Sequence, residues 1–107
     1  MDEEAIRKEV EVLENILELS ALDGASTDET KRLIDPISDE AILKAVNEGI
    51  IENRKIAEEV LVKRMQNWNN DKILDALFCR KEFANKRISS LARTALKKKM
   101  RWLSRKE

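Results

Sequence analysis

Histidine and tyrosine are missing from this 107-residue chain, cysteine and proline occur once each, and glycine twice. Without histidine there is neither the side chain that titrates nearest neutrality nor the commonest metal ligand. The single Cys79 excludes an internal disulfide, and no imidazole is present to activate it as a nucleophile. It reads as a small, semi-buried residue at the end of a short helix. No glycine-rich phosphate loop and no set of metal-ligand spacings occurs. Adjacent carboxylates such as Glu58 and Glu59 point to different faces of a helix and so do not converge. These absences argue against an enzyme, and no metal and no cofactor are expected.

The scarcity of proline and glycine favours long helices. The lack of tyrosine and of β-branched alternation leaves few candidates for strands. No apolar run approaches the ~18 residues of a membrane span. The N-terminus, Met1-Asp2-Glu3-Glu4, is acidic, unlike a signal or transit peptide. Together with the lone thiol, this favours a reducing, cytoplasmic setting.

What is present is charge, at 39% of residues, and an ordinary apolar share of 42%. The formal net charge is zero, but the total conceals a polarity. Residues 1–79 carry 10 basic and 19 acidic groups, a net of −9, and residues 80–107 carry 11 basic and 2 acidic groups, a net of +9. Such asymmetry speaks of partners rather than of fold.

Periodicity and end signals predict six helices, over residues 3–22, 27–34, 39–47, 53–67, 71–80 and 82–105. In the first, Ile6, Val10, Leu13 and Leu17 share one face. Asp2 suits its start and Gly24 its left-handed end. Ser26 followed by Glu29 reads as a capping box. Pro36 must end the second helix. Ser38 is a good cap for the third, Gly49 with Ile50 can close it, and Asn69 or Asn70 can open the fifth. The fold expected is all-α: six helices in three α-hairpins, in a single domain over residues 1–107.

The last four helices read as a repeat. Residues 41–46 lie over 72–77 at an offset of 31, and 56–65 over 91–100 at an offset of 35. A short helix followed by a longer one at this period is the pattern of α-solenoid units. Asn53-Arg54-Lys55-Ile56-Ala57-Glu58-Glu59-Val60-Leu61 resembles the start of the second helix in HEAT-type repeats. The resemblance covers residues 38–103 and implies stacked α-hairpins. A closed helical bundle and a short HEAT-like solenoid both fit the pattern.

The sixth helix carries the strongest functional signal. At about 100° per residue, Ile88, Leu91, Ala92, Ala95, Leu96, Trp102 and Leu103 share one side. Lys86, Arg93, Lys97 and Arg101 share the other, flanked by Arg87, Lys98 and Arg105. A cationic stripe about 20 Å long is the size of an electrostatic footprint. It suits nucleic-acid phosphates or an acidic protein surface, and equally a merely solvated face. The apolar side is needed for the core, so a membrane surface is a poor partner.

Trp68 and Trp102 are expected to pack at the core or its edge, although an exposed Trp102 beside Arg101 would suit base stacking. Lys86-Arg87-Ile88-Ser89 resembles a basic-directed kinase site, but within a helix. Arg64 and Lys99 interrupt apolar faces at equivalent positions of the repeat. Arg64 is expected to reach Asp39 or Glu40, and Lys99 to reach Asp71. The function read from these features is a non-enzymatic binding or regulatory module that meets a polyanion, nucleic acid first, through the last helix. The alternative is a protein–protein adaptor or homo-oligomer using the acidic N-terminal and basic C-terminal surfaces.

Overall fold

A computed structural model describes residues 2–24, 26–48, 54–80, 83 and 86–106, with the backbone alone at 23 and 102–106. The chain is all-α. Among the described residues six helices run in order: α1 (Glu3–Asp23), α2 (Thr27–Ile34), α3 (Asp39–Glu48), α4 (Arg54–Met65), α5 (Asn70–Leu77) and α6 (Lys86–Lys106). The chain divides within α4 into two units, Met1–Val60 and Leu61–Glu107.

In the first unit α1 is the hub, packing against both α2 and α3. Its start is set by Asp2, whose carboxylate accepts the Ala5 N–H at 2.7 Å, with Glu3 and Glu4 in the first turn favoured by the helix dipole. Its end is set by Gly24, which takes the left-handed conformation at φ 64°. The predicted row is the packing face: Val10, Leu13 and Leu17 are buried and Ile6 half-buried. The short α2 begins where Ser26 Oγ accepts the Glu29 N–H at 3.2 Å, and it stops ahead of Pro36. Ala41, Ile42, Leu43, Ala45 and Val46 bury most of α3. The expected closure of α3 by Gly49 and Ile50 lies outside the described residues.

Two polar contacts fix the registers of these helices. Ser20 Oγ and Thr30 Oγ1 lie 2.6 Å apart in a buried pair between α1 and α2. Thr30 Oγ1 donates to the Ser26 carbonyl at 3.1 Å, so its proton is committed and Ser20 is the donor within the pair. Between α1 and α3, Glu9 meets Ser38, the residue that caps α3 by accepting the Ala41 N–H at 3.3 Å. At the surface, Lys31 on α2 and Glu59 on α4 are 3.2 Å apart.

In the second unit α5 packs against α6. Asn69 caps α5 by accepting the Lys72 N–H at 2.9 Å. Ile73 and Ala76 on α5 are buried, as are Ile88, Ala92 and Ala95 on α6. Small side chains at the contact let the two backbones approach. α5 ends three residues earlier than periodicity predicts, at Leu77 rather than Arg80, in a Schellman motif. The Arg80 N–H donates to the Asp75 carbonyl at 2.8 Å and the Cys79 N–H to the Ala76 carbonyl at 3.3 Å. Cys79 occupies the left-handed position at φ 54°. It is exposed, not semi-buried as its neighbours suggested.

α6 begins at Lys86, four residues later than predicted. Phe83, placed by periodicity inside the helix, instead sits in a single 3₁₀ turn, with its N–H donating to the Arg80 carbonyl at 2.9 Å. It is among the most buried side chains of the chain. Its ring centroid lies 5.8 Å from that of Trp68, which is also buried, and Lys72 Nζ stands 4.0 Å from the Trp68 ring centroid. Trp68 therefore packs as expected.

The two misplaced cations are both half-buried. Lys99 reaches the start of α5, but its Nζ lies 3.5 Å from Asn70 Oδ1, one residue ahead of the predicted Asp71. Asn70 begins α5 and faces back toward α6, whereas Asp71 is one step round the helix. The carboxylates expected for Arg64, Asp39 and Glu40, belong to the first unit and Arg64 to the second.

Candidate polyanion-binding face of α6

Three buried side chains, Ile88, Ala92 and Ala95, anchor one side of α6 and so decide what the other side presents. With Leu91 and Leu96 half-buried at the margins, the opposite side faces solvent. Lys86, Arg93, Lys97 and Arg101 all stand exposed there, as predicted, and Lys98 is exposed at its edge. None of these five is in an ion pair among the described residues. Arg87 departs from expectation: it is half-buried and has an interaction within the protein, so it belongs to the margin of the stripe. Arg105 lies on the helix backbone, with its side chain outside the described residues, as do those of Trp102 and Leu103.

The geometry is a row of cations on one rigid rod. Arg93, Lys97 and Arg101 step by four residues, about 6 Å each along the axis, and Lys86 extends the row by about 10 Å. Lys86 and Arg87 also occupy the first turn of α6, which contains no acidic residue. Cations there add to the positive end of the helix dipole instead of opposing it. Like charges held this closely repel one another, and an anion relieves that repulsion.

Ser89 is not an open hydroxyl. It is half-buried, and its Oγ donates to the Leu77 carbonyl at 2.6 Å, satisfying one of the last acceptors of α5. The resemblance to a kinase site therefore falls on a side chain already used by the fold.

Two exposed apolar side chains near this face escaped periodicity. Met100 is 63% exposed and lies beside Arg93 and Lys97 on the helical projection. Phe78, the residue that caps α5, is 58% exposed, with the Arg80 guanidinium 5.1 Å from its ring centroid. Helical spacing carries no signal for Phe78, because its exposure follows from where α5 stops.

Among the described residues no group of three or more His, Cys, Asp or Glu could hold a metal ion, and no helix is long and apolar enough to cross a membrane. Comparison with models of protein families, with curated proteins and with solved structures returned no match.

Proposed function

We propose that the protein is a non-enzymatic binding module whose outward α6 face takes a polyanion, nucleic acid first. The observation that carries this reading is the exposure of Lys86, Arg93, Lys97, Lys98 and Arg101 with no carboxylate paired to them among the described residues. Cations present only for solubility are commonly interspersed with acids, as Lys8 is with Glu4 and Arg54 with Glu58. On α6 the acids are missing. The direct test is retention on heparin or immobilised nucleic acid at about 50 mM salt, where phosphate contacts are strong. The parent protein should be retained, and a fourfold Lys86/Arg93/Lys97/Arg101→Glu variant should flow through. A parent that is itself not retained would reduce the stripe to a solvated face.

A second reading, self-association or binding of a protein partner, has its own support. Val12, Leu19 and Leu22 are 50%, 57% and 73% exposed along α1, beside the exposed Glu4, Glu11 and Glu18. An apolar row rimmed by acids suits a partner surface that is apolar and basic. Sedimentation separates the readings, since self-association alone depends on protein concentration. The HEAT-like reading of α3–α6 belongs to the same proposal. Burial matches at Ile42 with Ile73, Ala45 with Ala76 and Ala57 with Ala92, but differs at Leu43 with Leu74 and at Met65 with Met100.

A further inference from the structure

The cationic stripe has an aromatic neighbour. Ser89 Oγ holds the Leu77 carbonyl at 2.6 Å, so the next residue, Phe78, is set beside α6 at the level of Ser89. Lys86 and Arg93, three residues before Ser89 and four after, stand about one helical turn to either side of that level. Both are exposed, as is Phe78. Arg80 lies 5.1 Å from the Phe78 ring centroid, tethered by its 4.0 Å approach to Asp75. A guanidinium over one side of a ring steadies it and adds a cation at the same point.

A large exposed aromatic contributes little to a duplex held by its phosphates alone, because paired bases keep their faces inside the stack unless a step is pried open. An unpaired base does offer a face, and stacking on an aromatic side chain is tolerant of sequence. A heparin-like chain carries no base to stack there, and an acidic protein would have to set an apolar side chain against the ring. We infer that the ligand of the α6 face is single-stranded nucleic acid, with an unpaired base stacked on Phe78 and neighbouring phosphates on Lys86 and Arg93. This rests on the reading of the face as a polyanion site.

The turn that presents Phe78 makes the arrangement durable. The Schellman motif fixes Phe78 at the end of α5 by backbone hydrogen bonds, from the Arg80 and Cys79 N–H groups to the Asp75 and Ala76 carbonyls. The backbone at Phe78 is thus held by hydrogen bonds and not by core packing, and the exposed side chain can be changed without disturbing the interior.

The test compares three probes at about 50 mM salt: a short labelled oligo(dT), the matching oligo(dT)·oligo(dA) duplex, and heparin. The parent should bind oligo(dT) more tightly than the duplex. Phe78→Leu keeps an apolar side chain and removes the aromatic face. It should weaken oligo(dT) binding by roughly five- to a hundred-fold, the loss of one stacked base, and leave the duplex and heparin unchanged. Phe78→Trp should retain oligo(dT) binding. If Phe78→Leu binds oligo(dT) like the parent while all three probes bind, the single-strand inference is overturned and the polyanion face stands. If no probe binds the parent, both fail. Circular dichroism of the variants establishes that each is folded.

Discussion

Ser38 gives both of its donors to one carboxylate oxygen 29 residues away: its N–H and its hydroxyl reach Glu9 Oε2 at 2.8 and 2.6 Å. The same hydroxyl oxygen accepts from Ala41 at 3.3 Å, so a side chain of α1 is joined through Ser38 to the first turn of α3. A carboxylate beside the start of a helix also gains from the helix dipole. Replacing Glu9 with alanine leaves the Ser38 N–H without this acceptor in a half-buried place. Hydrogen bonds to charged groups contribute about 1.5–3 kcal/mol, so Glu9→Ala should cost about that much. Glu9→Gln, which keeps an acceptor and loses the charge, should cost less. Urea unfolding followed by circular dichroism measures both. Equal stability of all three proteins would mean that the contact does not hold α3 in place.

At the end of α5, a residue with a side chain occupies a conformation that suits glycine. Cys79 at φ 54° carries the strain of a left-handed backbone, about 1 kcal/mol for most side chains. Cys79→Gly should therefore raise stability, by up to about 1 kcal/mol after the entropy that glycine adds to the unfolded chain is subtracted. Cys79→Val should lower it, because a branched side chain fits this region worst. Thermal melts of the three proteins should order them Gly, Cys, Val. A valine variant as stable as the parent would refute the account.

Leu13 is fully buried on the packing face of α1. Leu13→Ala should cost about 2–5 kcal/mol, and Leu13→Asp should unfold the protein. The decisive observation combines circular dichroism with sedimentation. A folded, monomeric Leu13→Asp protein derived from a dimeric parent would reassign that row from the interior to a contact between copies.

The α6 stripe makes a numerical prediction about salt. Four exposed cations, each neutralising one phosphate, give a log–log slope of affinity against salt of roughly −3 to −4. Arg93→Gln and Lys97→Gln should each flatten that slope by a little under one. A slope near zero with measurable affinity would point to an apolar contact instead.

Much of this architecture was legible because helix ends are local. Asp2, Ser26, Ser38 and Asn69 each accept from the N–H three residues on, and Gly24 supplies its left-handed turn. The row Val10, Leu13 and Leu17 and the opposed faces of α6 follow from the 3.6-residue period. What escaped depends on residues distant in the chain or on a turn without glycine. Phe83 is buried against Trp68, 15 positions away, and the two lie in separate turns at either end of α5, so helical periodicity does not link them. Glu9 reads as one acid among many until Ser38 is brought to it. α5 stops at Leu77 without glycine or proline to mark the place, so helical periodicity runs on through Phe78 and Cys79, which are its exposed end. On α1, Val12 and Leu19 are visible as apolar residues, but composition does not reveal that they remain uncovered. For the cationic face the stripe was readable residue by residue, whereas the engagement of Arg87 within the protein was not.

The anchoring of α6 by Ile88, Ala92 and Ala95 has a calorimetric consequence. The helix is already formed and packed on one side, so a polyanion meeting the other side orders no backbone and buries little apolar surface. Binding should then show a heat-capacity change near zero, far from the large negative value of coupled folding. Its driving force should be chiefly the release of condensed counterions, with the single base stacked on Phe78 adding the rest. The heat of binding at low salt should be small, and the far-ultraviolet dichroism of the protein unchanged on saturation.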